Sequence, residues 1–360
     1  MDKKKRILIF TPGAVGGAER MAVTIGRMLP RESYDVEFVI CGTLKSIENI
    51  LPEGYKVDRI AFHNKYCFAT LRIWWKIVTS RADIVFSSLA FINYRVILAA
   101  KFSNAKIIIR SSNMIGNYKR SSQRYCRMIY PLADILIAQQ EDMRQEMSRL
   151  LHVGLDRIYA LNNPLDTVML DKAENSISPF TDANAINYVN VARINQVKAQ
   201  DVAIKAMAIV RRKMSNAHLY FVGGYEENDS YYKELCDMVK SKDLQDCIHF
   251  IGYDKNPYRW IKNCHCFVFP SRIEGLPNAL VEASYLGVPC VAAKCLNIVS
   301  DIVKDGYNGY TTAVEDVEAL ADGMVKAIKL VGFEMTYHPS NKKDFIDVFD
   351  KATNREKKVV

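Results

Sequence analysis

The chain has 360 residues, is 49% hydrophobic and carries a formal charge of +9. That length exceeds one ordinary core, so two domains are expected, and the hydrophobic share excludes a disordered chain. No run of about 18 apolar residues occurs, so no transmembrane helix is expected. The start, MDKKKRILIF, is basic and then apolar. A signal peptide needs a longer apolar segment and a small-residue cleavage site, so Arg6 to Phe10 reads as a buried first strand. Nine cysteines form no CxxC pair, which fits a reducing cytosol. Cys264-His265-Cys266 lacks a second ligand cluster and lies where an apolar strand begins, so no metal site is assigned.

In chain order, strand-like apolar runs lie at Ile7–Thr11, Val36–Cys41, Ile84–Ser87, Lys106–Arg110, Ile135–Ala138 and Ile158–Leu161. They recur at Asn187–Val191, His218–Val222, His249–Ile251, Cys266–Phe269 and Pro289–Ala292. Helix-like segments fall between most of them, among them Ala18–Leu29, Gln140–Leu151, Asp201–Arg212 and Tyr231–Ser241. Such alternation predicts an α/β fold of doubly wound parallel sheets with helices on both faces. The pattern occurs twice, with a break at Asn163-Pro164 and a polar, strandless stretch from Asp166 to Asn184. The hinge is therefore placed at 164–186. The expected division is a first Rossmann-like domain over 1–165, a second over 186–330, and a polar tail over 331–360. Asp344–Lys351 is a candidate helix in that tail, and its last ten residues are expected to be disordered. Ligands of open α/β sheets collect at the carboxyl ends of strands.

Charge is uneven. Residues 1–165 hold 25 Lys and Arg against 14 Asp and Glu. Between Arg59 and Leu132 there are thirteen basic residues and one acid, Asp83. This suits either a solvated face or a footprint for an anionic surface, membrane lipid or nucleic acid. Within it, TLRIWWKIVTSR (70–81) mixes Trp74 and Trp75 with Arg72, Lys76 and Arg81. Residues 118–131 add Lys119, Arg120, Arg124 and Arg127 beside Tyr125 and Tyr130. Aromatics with cations on a helix suit a membrane interface.

Several loops carry candidate chemistry. PGAVGGAER follows the first strand, and its glycines let a backbone approach a ligand. It lacks the GxGxxG spacing and the following acid of a nicotinamide site. RSSN (110–113) ends a strand of the first half and also suits an ordinary capped loop. VARINQVKAQ places Arg193 and Lys198 after a strand, where two cations converging on a diphosphate would stabilise a leaving group. Most informative is FVFPSRIEGLPNALVEASYLGVP over 267–289. A strand runs into a short loop that opens a helix near Asn278. A helix N-terminus has unpaired N–H groups and partial positive charge, a seat for phosphate. Glu274 lies beside that seat and Glu282 about one turn inside the helix. Two acids flanking an anion site point to a ligand with phosphates and sugars together.

This stretch resembles the E-x7-E signature of retaining GT-B glycosyltransferases of family 4 (glycosyl transferases group 1), most like bacterial capsule, lipopolysaccharide and exopolysaccharide enzymes. The resemblance runs from Ile7 to about Leu330 and rests on the ordered set Arg193, Lys198, Glu274, Glu282 and Gly309. It implies a GT-B fold, two Rossmann-like domains facing across a cleft, with C-terminal helices that often cross back onto the first domain. It implies transfer of a hexosyl or N-acetylhexosaminyl group from a nucleotide diphosphate sugar to a growing, lipid-linked glycan. Glu282 would hold ribose hydroxyls, Glu274 the sugar, and Arg193 and Lys198 the diphosphate. The backbone at Gly275, Leu276, Pro277 and Asn278 would seat the donor. Gly16 and Gly17 would approach the donor, and Tyr253 in HFIGYDKNP would lie against its base. Arg110, Ser112 and Asn113 are the acceptor candidates. Two departures stand out. Ala192 and Ala199 replace glycines of the family pattern, and no histidine occupies 110–113. The resemblance implies no metal and no cofactor beyond the co-substrate. It implies a cytoplasmic enzyme on the inner face of the membrane, contacting anionic lipid through its basic, aromatic first domain and binding no nucleic acid. Alternatives are a nicotinamide-dependent oxidoreductase and a non-catalytic nucleic-acid binder.

Overall fold

A computed structural model describes residues 3–14, 17–44, 46–51, 53–61, 66–165, 167–174 and 176–354. The chain divides into two compact units, 1–164 together with 339–360, and 165–338.

The first unit runs β1 (Lys5–Pro12), α1 (Gly17–Met28), β2 (Tyr34–Cys41), β3 (Lys56–Ile60), α2 (Tyr66–Ser80), β4 (Ile84–Ser87), α3 (Ala90–Lys101) and β5 (Lys106–Arg110). It continues with α4 (Arg120–Ile129), β6 (Ile135–Ala138), α5 (Glu141–Leu151) and β7 (Ile158–Ala160). Among the described residues its sheet has seven strands in the order β3-β2-β1-β4-β5-β6-β7. Every pairing is parallel, for example Ile7 with both Val36 and Ile84. Parallel strands covered on both faces read as unbroken apolar runs, which is why ILIF, IVF, III and ILIA are buried throughout.

The second unit runs α6 (Thr167–Glu174), β8 (Ile186–Val191), α7 (Gln200–Lys213), β9 (Ala217–Val222), α8 (Ser230–Ser241), β10 (Ile248–Gly252) and α9 (Tyr258–Asn263). It closes with β11 (Cys266–Phe269), α10 (Asn278–Tyr285), β12 (Cys290–Ala293), α11 (Val299–Ile302), β13 (Gly309–Thr312) and α12 (Val317–Ala327). Among the described residues its six strands are ordered β10-β9-β8-β11-β12-β13. Counted within each unit, both sheets begin 3-2-1-4-5-6, the dinucleotide-fold order, with a topological switch between the first and fourth strands.

The structure departs from the sequence reading at its edge strands and in the stretch read as a hinge. Two edge strands, β3 and β13, join the sheets although they lack an apolar run; KVDRI is mostly solvent-facing and GYTT is short. The stretch read as a hinge is not a linker. Its α6 buries Leu170 and Ala173 in the second core, and Phe180 packs its ring 5.0 Å from Tyr220 and 5.5 Å from Trp260. The tail does follow the sequence reading: the candidate helix at Asp344–Lys351 lies within α13 (Lys342–Asn354), which belongs to the first unit. There Phe345, Val348 and Phe349 are buried with Ile9, Phe38 and Phe86. Asp350 accepts hydrogen bonds from Lys5 Nζ at 2.9 Å and Tyr34 Oη at 2.5 Å. Residues 355–360, most of the segment expected to be disordered, lie outside the described residues.

Candidate active site

The second sheet switches direction between β8 and β11, and their carboxyl ends carry the loops 192–199 and 270–277. Backbone hydrogen bonds tie the neighbouring strand ends together. Ile194 N donates to Gly224 O at 3.1 Å, and Gly223 N to Gly252 O at 2.8 Å. Gly223 is required here, because a Cβ on it would lie 2.0 Å from Ala192 O. Position 192 itself tolerates alanine, since the close approach is supplied by its neighbour. Tyr253, next after β10, is exposed.

Asn195 shapes the first loop by accepting a hydrogen bond from Lys198 N on its side-chain oxygen. The turn ends at Ala199, whose φ of 54° and ψ of 42° lie in the left-handed region. That is the conformation a glycine adopts without strain, so alanine keeps the backbone path of the family pattern at a conformational cost. The path delivers Lys198 to Glu274, Nζ to Oε1 at 2.6 Å, with side chains 25% and 10% exposed. Arg193 is exposed on the same loop, and its carbonyl accepts from Gln200 Nε2 at 3.0 Å.

On the second loop, Gly275, Leu276 and Pro277 are buried, and α10 starts at Asn278 with no side-chain cap. Glu282 lies one turn in, and Tyr258 Oη donates to its Oε1 at 3.4 Å. The sequence brings Lys198 and Glu274 into contact and sets Arg193, Gly275–Asn278 and Glu282 on the same two switch-point elements.

Sequence reasoning missed the residue that joins these loops, Arg272. Its backbone N donates to Val197 O at 2.8 Å, its Nη1 to Gln196 O, and its Nη2 to Asp201 Oδ2 at 2.9 Å, while its Nε pairs with Glu315. Burial pulls the Asp201 carboxyl up, but hydrogen bonds from Arg272 and Tyr231 and the Arg272 charge outweigh it and hold the group down at about 2. The guanidinium rises in turn through Glu315 and Asp201. One basic residue after a strand has no distinctive spacing, so only the fold exposes it as the cross-tie.

In the first unit, Gly16 lies outside the described residues and Gly17 opens α1. Ser112 is half-buried and Asn113 exposed, with Asn113 O accepting from Ser111 Oγ at 2.8 Å. Arg110 differs from a loop residue reaching outward. It ends β5, is fully buried, and none of its three guanidinium nitrogens has a hydrogen-bond partner. Burial pushes it down to about 9. The Cys264-His265-Cys266 tract is structural in its contacts. His265 Nδ1 accepts from Asn187 N at 3.1 Å, and burial pushes the Cys266 thiol well above its ordinary range.

Two Rossmann-type sheets in sequence, the second with a cation and a carboxylate at its switch point, define the GT-B class. The Anabaena protein HepE, solved in complex with UDP-glucose, superposes with a TM-score of 0.76 at 16% identity, covering 97% of this chain and 93% of that one. Residues 171–342 match the model of glycosyl transferases group 1, and residues 15–168 match that of glycosyltransferase family 4. One glycosyltransferase model matches each half of the chain, and the chain is a glycosyltransferase. An uncharacterized glycosyltransferase of Haemophilus influenzae is 25% identical over 89% of each chain. A Campylobacter jejuni enzyme, N-acetylgalactosamine-N,N'-diacetylbacillosaminyl-diphospho-undecaprenol 4-alpha-N-acetylgalactosaminyltransferase, is 22% identical over 89% of each. The oxidoreductase and nucleic-acid alternatives are set aside.

Proposed function

We propose that the chain is a retaining glycosyltransferase that moves a hexosyl or N-acetylhexosaminyl group from a nucleoside diphosphate sugar to a growing surface glycan on a lipid diphosphate carrier. The observation that carries this reading is the Lys198–Glu274 pair at the switch point, 2.6 Å apart. The two side chains neutralise each other, and a sugar nucleotide offers a better partner to each: its diphosphate to Lys198 and its sugar hydroxyls to Glu274. Arg193 shares the diphosphate, Glu282 takes the ribose hydroxyls, and Tyr253 covers the base. The backbone N–H groups of Gly275 and Leu276 and the start of α10, which has no side-chain cap, are assigned to the phosphates. Ser112 and Asn113 are assigned to the acceptor.

Retention follows from front-face attack. The bond from the sugar's C1 to the diphosphate oxygen breaks as the acceptor oxygen bonds to C1 on the same face. The departing diphosphate oxygen takes the acceptor's proton, and Lys198 and Arg193 stabilise the charge that develops there. An α donor gives an α product. No metal is part of this reading. The donor class is supported by the UDP-glucose in HepE, and the carrier by the Campylobacter relative, which is named for a diphospho-undecaprenol substrate. Such a carrier places the enzyme on the cytoplasmic face of a membrane.

The test is a thermal-shift panel of nucleotide sugars on wild type and Glu282→Ala, with release of nucleoside diphosphate followed alongside. A ligand at a hundred times its dissociation constant stabilises by about 2.7 kcal/mol. One sugar nucleotide should shift wild type and fail to shift the variant. An equal shift in both proteins removes Glu282 from the donor site.

A further inference from the structure

The contact between Lys198 and Glu274 joins two loops, and Arg272 ties the same two loops together. It lies two residues before Glu274, on the loop after β11, and all three of its guanidinium nitrogens are engaged. Nη1 donates to Gln196 O, Nη2 donates to Asp201 Oδ2 at 2.9 Å, and Nε pairs with Glu315. Two carboxylates therefore match its charge already. With its charge matched and its nitrogens committed, Arg272 is not a receptor for phosphate, unlike the exposed Arg193. Its effect on a ligand must pass through what it holds.

What it holds is the turn that presents Lys198. Gln196–Lys198 forms a single 3-10 turn, a short element with weak hydrogen-bond geometry of its own. Gln196 and Val197 are exposed, so packing does little to fix them. Arg272 takes the carbonyls of both, Gln196 O through Nη1 and Val197 O through its backbone N at 2.8 Å. The next residue is Lys198. Beyond it, Asp201 opens the first turn of α7 with Oδ2 on Arg272, while its Oδ1 accepts from Tyr231 Oη of α8 at 2.8 Å. Lys198 is thus bracketed on both sides by contacts to one arginine. The third anchor, Glu315, lies between β13 and α12 with φ of 68°, and Ala199 at the end of the Lys198 turn has φ of 54°. Left-handed backbone at residues with a Cβ persists only where the surroundings over-determine it, as they do around a ligand clamp.

We infer that Arg272 is a positioning residue for the donor diphosphate. By clamping the 196–198 turn and Asp201 against the loop that carries Glu274, it fixes Lys198 in place before the ligand arrives. This rests on the donor reading above, in which Lys198 takes the diphosphate while Glu282 and Tyr253 take the ribose and the base. A preformed site spares the ligand the cost of ordering the loop. Without the clamp that cost returns, and it falls on the phosphates alone, because Glu282 and Tyr253 lie on elements that Arg272 does not touch.

The test compares full-length wild type, Arg272→Lys and Arg272→Met, each shown to be folded by thermal unfolding. UDP, GDP and ADP would be titrated by ligand-observed NMR, each beside its own nucleoside. Hydrogen exchange of the free proteins would be followed over 195–201. One diphosphate should bind wild type more tightly than its nucleoside does. Both variants should bind that diphosphate about tenfold more weakly or worse, bind the nucleoside as wild type does, and exchange faster over 195–201. Lysine keeps the charge, but its single nitrogen cannot span Gln196, Asp201 and Glu315 together. Wild-type affinity in Arg272→Lys would therefore show that charge alone matters and would overturn the inference. Equal losses for diphosphate and nucleoside would mark a general structural defect and overturn it too, as would weaker binding without faster exchange. Equal diphosphate binding by all three proteins removes Arg272 and leaves the donor reading standing. Failure of every diphosphate to bind wild type removes the donor reading, and the inference with it.

Discussion

Arg110→Met should make this protein more stable. A guanidinium is ordinarily charged far beyond neutral pH, and at about 9 Arg110 is still charged at pH 7. It is fully buried, and its three nitrogens have no hydrogen-bond partner. A tenfold change in proton affinity corresponds to about 1.36 kcal/mol, so displacement from the ordinary guanidinium value down to about 9 corresponds to roughly 5 kcal/mol of cost to the folded state. Relaxation around a buried charge reduces this, and about 2–3 kcal/mol is a reasonable net figure. Methionine keeps the unbranched stem and packs adaptably. At about 2–4 °C per kcal/mol for a unit of this size, the melting temperature should rise by about 5–10 °C. Tryptophan fluorescence reports the right region, since Trp74 and Trp75 lie in the first unit and only Trp260 in the second. The sign with pH is fixed as well. The folded value lies below the unfolded one, so the unfolded chain holds the proton more tightly, and wild-type stability should rise with pH from about 9 upward. The gap between variant and wild type should therefore be widest below pH 9 and narrow above it. A variant that melts at or below the wild-type temperature at pH 7 would mean that the guanidinium is satisfied, and the argument from an unpartnered charge would fail.

Other predictions concern the second unit. Ala199→Gly removes left-handed strain of about 1 kcal/mol but gives up a buried methyl worth about 0.8 kcal/mol and adds chain entropy. It should be neutral to within about 1 kcal/mol in denaturant unfolding, whereas Ala199→Val, β-branched at positive φ, should cost about 2 kcal/mol or more. A neutral valine variant would refute the conformational reading. The Asp201 carboxyl is depressed, so its contribution is complete above its unfolded value near 4 and is lost as pH falls through about 2. Between those pH values wild type should lose about 1–2 kcal/mol that Asp201→Asn does not. The variant should already be less stable at pH 7, because Arg272 loses an ion pair at 2.9 Å. Parallel acid profiles of the two proteins would show that Asp201 is not the group responsible.

Much of the fold was legible because strands buried on both faces need unbroken apolar runs, and ILIF, IVF and CFVF have no other use for them. Lys56–Ile60 is mostly solvent-facing and Gly309–Thr312 is short, with Tyr310 its one large apolar side chain, so neither carries that signature. The polar stretch after Pro164 hid α6 because only Leu170 and Ala173 of its described side chains reach the core. At the site, the spacing of Glu274 and Glu282 and the order of Lys198 before them were readable, since a strand-loop-helix fixes where such residues emerge. Contacts between loops distant in sequence were not. Arg272 joins residues some 70 positions away, and no local pattern encodes that. The buried state of Arg110 was equally hidden, because an arginine at a strand end usually reaches water.

The placement of α13 sets the order in which the chain can mature during synthesis. Phe345, Val348, Phe349 and Ala352 complete the core that Ile7, Ile9 and Phe38 begin. The ribosome makes those first strands early and the helix that covers them last. At about 5–20 residues per second, the intervening unit takes on the order of ten to forty seconds to emerge. For that interval the first sheet has one face incompletely covered, while the second unit, continuous in sequence, can finish folding within it. The part made first is therefore the part completed last, and chaperone demand should concentrate on the nascent amino-terminal sheet.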